Sequence, residues 1–131
     1  MALPNGAGGY QLGDGNLNEA VLGVQAIPTA YTAGATLTVL DLEQSIIVYT
    51  SGSTANLALP TAASVDAELS SAKVGSCFDI VLVATSTGVP TITVGTGWTL
   101  VGSGAGVASK SVMFRAVKTG DAAYSLYRIA G

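Results

Sequence analysis

The chain has 131 residues, of which 49% are apolar and only 10% charged, with a net charge of −3, one cysteine and no histidine. The length suits one domain with a genuine core, and charge far below the roughly 25% of a typical soluble domain leaves a surface of Ser, Thr, Gly and Ala suited to contact with other chains. Missing histidine rules out Ser-His-Asp and Cys-His catalysis, a lone Cys77 rules out an intrachain disulfide, and no basic cluster is present to neutralise phosphates, so nucleic acid is not an expected partner.

Residues 1–20 scatter Leu3, Tyr10, Leu12 and Leu17 among glycines and asparagines with neither a helical nor a strand period. They read as an extended arm that either stays mobile or orders against a neighbour, with a frayed terminus as the plainer alternative. The start lacks the basic and then apolar pattern of a secretory signal, and no run approaches the ~18 apolar residues of a membrane span. The expected product is soluble, made in the cytosol and without a membrane partner.

Residues 21–131 form the expected folded domain. From residue 20 onward, strand-sized runs alternate with Gly, Ser, Thr and Pro: AVLGVQAI, ATLTVL, SIIVYT, ANLALP, CFDIVLVAT, PTITVG, GWTLVG, KSVMFRAV and AAYSLYRI. Eight or nine short strands at this spacing predict an all-β domain of sandwich or barrel type. In PTITVG, Ile92 and Val94 fall on one face and the threonines on the other. CFDIVLVA does not alternate, which predicts a central strand covered on both sides, with Cys77 as a buried small hydrophobe.

One short helix is expected after Pro60, with Ser64 as N-cap, Asp66 and Glu68 near the positive end of its dipole, and Val65 and Leu69 facing the sheet. Asp41 to Gln44 offers a second, single turn. Near the C-terminus, residues 118–121 read as a tight turn with Lys118 opposite Asp121. That register puts Val112, Phe114, Ala116, Ala123, Ser125 and Tyr127 on one face. It puts Met113, Arg115, Tyr124, Leu126 and Arg128 on the other, a mixture that suits a subunit interface or a solvated face with snorkelling arginines.

Other chemistry finds bland explanations. Ser109, Lys110 and Ser111 are neighbours only in sequence, and a strand would point them apart. Asp41 with Glu43, and Asp66 with Glu68, read as helix-start acids rather than a glycosidase pair. Asp14, Asn16 and Asn18 begin a calcium-loop spacing, but Glu19 stands where Gly belongs and Gln25 where the bidentate Glu belongs. Residues 102–106 are glycine-rich without a Walker lysine and read as a flexible hairpin loop. Trp98 is either a sugar-stacking platform or a core anchor. No catalytic residue, metal site or cofactor is assigned.

The ordered pattern across residues 20–131 resembles the capsid decoration, or cement, proteins of tailed phages. It runs IIVYTSGSTANLALPTAASVDAELSSAKVGSCFDIVLVATS, then GWTLVG, then YSLYRI. The resemblance implies a single β-sandwich or jelly-roll-like domain that forms homotrimers on the outer surface of the virion head. Its partner would be the major capsid protein, which the arm bearing Leu3, Tyr10, Leu12 and Leu17 would help contact. Similar strings occur in phage tail and fibre modules, so a glycan-binding module is the alternative.

Overall fold

The computed structural model describes residues 22–131. Among the described residues nine strands make a six-stranded and a three-stranded sheet, accompanied by two short helices, a mainly-β fold. Strands β1 (Ala30–Tyr31), β3 (Ile46–Tyr49) and β5 (Cys77–Ala84) lie side by side in the larger sheet. Strands β2 (Ala35–Thr36), β4 (Ala55–Ala58) and β6 (Pro90–Thr93) make up the smaller one. The chain therefore winds as a flattened coil, laying one strand in each sheet per turn. Returning through the opposite sheet makes neighbouring strands parallel: Ala30 aligns with Val48 and Val48 with Val83, while Ala35 aligns with Leu57 and Leu57 with Ile92.

The last three strands, β7 (Trp98–Val101), β8 (Ser111–Gly120) and β9 (Ala123–Ala130), complete the larger sheet in the order β1-β3-β5-β8-β9-β7. Among the described strands only β5 with β8 and β8 with β9 form antiparallel ladders, so the coil departs from the wholly antiparallel ladder of a jelly roll. One core fills the space between the layers. Tyr49, Leu82, Phe114 and Leu126 from the larger sheet meet Leu57 and Ile92 from the smaller.

Both helices start at a threonine. Helix α1 (Val39–Gln44) opens with a capping box in which the Thr38 hydroxyl accepts from the Asp41 N–H and the Asp41 carboxylate accepts from the Thr38 N–H. This box ends the run at residues 35–40 as a strand after Thr36, and the expected single turn becomes a helix beginning two residues earlier. Helix α2 (Ala62–Glu68) is capped by Thr61, whose hydroxyl accepts from Ser64 N–H, so the helix starts ahead of the expected Ser64. The earlier start moves Asp66 out of the first turn, where the dipole would have held it, and places it against β8.

Three further expectations change. The apolar run at residues 20–27 forms no strand where it is described. Interrupted by Gly23 and closed by Pro28, it is held by Gln25, whose side-chain amide donates to the Gln44 carbonyl at 2.6 Å. Strand β5 is central in order but not covered on both sides: Ile80, Leu82 and Ala84 are buried while Val81 and Val83 are only half-buried. Cys77, at its start, is exposed rather than buried.

The C-terminal hairpin forms with a different register. Gly120 pairs with Ala123 across a turn of Asp121 and Ala122, the latter at φ 50°, and a bulge follows so that Lys118 faces Tyr124. Because side chains alternate with period two, that shift moves β9 by one face relative to β8. Tyr124 and Leu126 thus join Phe114 and Ala116 in the core, 1% and 0% exposed.

Candidate interaction surface

The five residues expected to share one interface face are divided by this bulge. Met113 and Arg115 point to the outer side of the larger sheet, whereas Tyr124 and Leu126 are core residues. Arg128 follows Leu126 on the inner parity, and its guanidinium donates to the carbonyls of Ser103, Ala105 and Gly131. It works as an internal staple. The arm residues Leu3, Tyr10, Leu12 and Leu17 lie outside the described residues.

What takes the place of the expected set is the outer face of the six-stranded sheet. The ladder registers align Ile46 with Val81, Val48 with Val83, and Val81 with Met113 on that side. Beyond them Arg115 lies beside Tyr127, and Tyr127 beside Val101. Tyr127 is 36% and Val101 46% exposed, while Val48, Val81 and Val83 on β3 and β5 are half-buried. The missed signal was in β5 itself: an apolar run without alternation marks two apolar faces, whether or not both are covered.

One ion pair interrupts this surface, and Ser111 beside Val83, with Ser125 and Thr99 beyond Val117, adds polar positions of the same parity. Asp79 and Arg115 are cross-strand partners, with Arg115 Nε donating to one carboxylate oxygen at 2.7 Å and Nη2 to the other at 3.2 Å. The hydrogen bond from Arg115, and then its charge, hold the Asp79 carboxyl below the usual carboxylate range, and the same contact raises the guanidinium's own value. The pair leaves the face neutral.

A second ion pair is internal. The Lys118 ammonium, buried on the inner face, donates to Asp66 and to the Ala72 carbonyl, and Asp66 also accepts from the Ala122 N–H at 3.2 Å. Hydrogen bonds from Lys118 first, and from Ala122 second, lower the Asp66 pKa. Helix α2 is thereby fastened to the β8–β9 turn. Gly97 packs against that turn at φ 87°, where a Cβ would sit 2.6 Å from the Ala122 carbonyl oxygen.

The remaining candidate groups serve the fold. Trp98 is 7% exposed, donates its indole N–H to the Pro60 carbonyl at 2.8 Å, and packs 5.2 Å from the Tyr124 ring, so it offers no face to a sugar. Asp41 anchors α1 and accepts from the Tyr31 hydroxyl. Burial alone would raise its pKa, but the bonds from Tyr31 and Thr38 outweigh that and lower it. The Ser109 hydroxyl donates to the Ser86 carbonyl at 3.2 Å. The glycine-rich loop is pinned rather than free: Ile92 N–H donates to the Gly104 carbonyl and Gly106 N–H to the Pro90 carbonyl, at 2.8 and 2.7 Å.

A cavity of about 460 Å³ opens where α1, the segment after α2 and β5 meet, lined by Leu42, Leu69, Phe78 and Tyr124 with Glu43 and Cys77 among its other walls. The Tyr124 hydroxyl is buried without a hydrogen-bond partner, and its burial raises its pKa. Among the described residues no cluster of His, Cys, Asp and Glu could hold a metal ion, and no helix is long and apolar enough to cross a membrane. Comparison with protein-family models, with curated proteins and with solved structures finds no match to this chain.

Proposed function

We propose that the chain is a structural assembly protein, a decoration or cement subunit on the outer surface of a tailed-phage head, which bridges capsomers and stabilises the head against the pressure of packaged DNA. The observation that carries this reading is the outer face of the six-stranded sheet, where Ile46, Val48, Val81, Val83, Met113, Tyr127 and Val101 lie around one ion pair. A surface of that kind suits association with another polypeptide. The sequence resemblance supplies the identity of the assembly. It carries with it the major capsid protein as partner, a homotrimer as the attached form, and a sandwich or jelly-roll description of the subunit. Two sheets facing across one core favour the sandwich half of that description.

The mechanism needs no reaction. A subunit that binds the assembled lattice and not its ruptured form lowers the free energy of the intact state by mass action. Several weak contacts made from one oligomer add through effective concentration. Residues 22–29 support a reaching role, with Leu22, Val24 and Ile27 at 89%, 104% and 90% exposure. Burying three such side chains is worth about 1.5–3 kcal/mol each.

The test is to add purified protein to undecorated heads and record their rupture temperature alongside occupancy. A rise that follows occupancy is expected. Binding with unchanged rupture would reduce the protein to ornament, and absence of binding would remove the reading. The glycan-binding alternative loses its main support with Trp98 in the core.

A further inference from the structure

We propose that the cavity between α1, the segment after α2 and the start of β5 binds a small uncharged molecule, aromatic or alicyclic, that carries one hydrogen-bond acceptor. The proposal stands on the cavity and not on the capsid reading.

The first observation is the Tyr124 hydroxyl. Its side chain is 1% exposed, and the oxygen has no hydrogen-bond partner among the described residues. Nearly every buried polar group in a folded chain is paired, because an unpaired one keeps the full cost of leaving water; an acceptor brought in by a ligand relieves that cost. The hydroxyl also points the right way. Tyr124 stands on β9, two strands and ~10 Å from β5, yet it lines the same cavity as Phe78, with the two rings 6.4 Å apart. A side chain that crosses this distance presents its far end, the phenol. Ala116, opposite Phe78 on the strand between them, is too small to close the way. Burial, foremost, holds the phenol above its ordinary pKa, so at neutral pH the group is a donor.

The second observation is the arrangement of the walls. Leu42 and Tyr124 are buried and Leu69 and Phe78 half-buried, whereas Glu43 and Ser76 are exposed. An apolar floor with one polar group at depth and a polar mouth is the make-up of a small-molecule site. Charge narrows the ligand further. No lysine or arginine lines the cavity, and the nearby Lys118 ammonium is engaged by Asp66 and the Ala72 carbonyl, so an anion would meet only Glu43. A cation on the floor would lie away from Glu43, which stands in solvent, and would lose its hydration without a carboxylate in return.

The third observation is size. A volume of about 460 Å³ falls within the ~300–1,000 Å³ of ligand pockets. One water would satisfy the hydroxyl and leave the floor uncovered, whereas a ring system covers Leu42 and Leu69 and meets the rings of Phe78 and Tyr124.

The experiment titrates Prodan, an uncharged naphthalene ketone whose emission moves to the blue on leaving water, into the full 131-residue chain. One saturable site per chain with blue-shifted emission is expected. Acetylnaphthalene, which is neutral and carries an acceptor, should displace the dye, and naphthoate should not. Tyr124→Phe keeps the ring and removes the donor. It should weaken binding about three- to tenfold and move the bound emission further to the blue, while the melting temperature of the free protein stays level or rises because no bond within the chain is lost. Ala72→Leu, which fills the cavity from its wall, should abolish binding. Should circular dichroism show that Ala72→Leu fails to fold, Tyr124→Phe decides. Absence of saturable binding, equal displacement by naphthoate, or a lower melting temperature in Tyr124→Phe would each overturn the proposal. So would binding that both folded variants leave unchanged, which would place the dye on another apolar surface such as the outer face of the larger sheet.

Discussion

The two faces of the six-stranded sheet are built from the same strands and nearly the same residue types, yet they differ in what surrounds them. On the inner face Ile80, Leu82 and Phe114 meet two helices and a second sheet and are shut away from water. On the outer face Val81, Val83 and Met113, their immediate neighbours in sequence, lie beside Ile46, Val48 and Ser111 and are only half-buried. Apolar character alone therefore does not mark the core of this protein. The contrast lies in the third dimension, in which side the coil returns on, and it separates residues shut in the core from residues left half-buried.

The largest test of that contrast compares adjacent residues of β8. Phe114→Ala should cost about 3–5 kcal/mol in denaturant unfolding, because it removes a wholly buried ring and leaves a cavity between the layers. Met113→Ala, one step along the same strand, should cost less than about 1 kcal/mol at concentrations too low for copies to associate. Similar losses at the two positions would mean that both faces are covered within one subunit.

Next in size comes the inner ion pair set against the outer one. Lys118→Ala leaves Asp66 with only the Ala122 N–H and loosens α2 from the hairpin, whereas Arg115→Ala removes a partner from a solvated carboxylate. The first should destabilise clearly and the second little. The acid limb sharpens this prediction. With its folded pKa below the unfolded value of about 3.9, Asp66 contributes stability that is present above that value and lost as pH falls through the folded one. Lys118→Ala should flatten that part of the acid limb, and an unaltered pH profile would show that the pair is not what lowers the Asp66 pKa.

Tyr31 tests the smaller contact that ties the edge strand β1 to α1. Burial first, and then its bond to Asp41, push the phenol up to about 12, above its ordinary value near 10. A raised folded pKa stabilises below the unfolded value, and the contribution disappears as pH rises from about 10 through about 12. Tyr31→Phe should cost about 1–2 kcal/mol at neutral pH. It should also remove the part of the alkaline loss that falls in that window, as equilibrium unfolding across the pH range would record.

The strands β3 through β9 were legible as apolar runs between turn residues, because a strand needs only local pattern to declare itself. Their pairing was not. Whether β3 lies parallel beside β5 depends on β4 going to a different sheet, a relation between segments 35 residues apart in the Val48–Val83 register that no window of sequence contains. The helix starts were misplaced by a few residues because Thr38 and Thr61 outcompeted later caps. The interface set failed for one reason: a bulge beside Gly120 shifts β9 by one residue, and a period-two argument inverts under such a shift. The apolar outer face was present in CFDIVLVA, where the absence of alternation was read as cover on both sides.

Cys77 gives the smallest effect and the most direct check on which way β5 faces. Its position at the first residue of the strand, opposite Val117, gives it the outer parity of Asp79 and Val81, and it is exposed at the rim of the cavity between α1 and the segment after α2. A buried cysteine reacts with an aromatic disulfide reagent only as fast as the protein opens, whereas this thiol should react fully in the native state, at a rate insensitive to mild denaturant. Cys77→Ser, which changes a solvated position, should shift stability by no more than about 0.5 kcal/mol. Slow labelling limited by unfolding would place Cys77 inside, with the residues that share its parity. It would exchange the two faces of the sheet and leave Met113, Val81 and Val83 as core residues.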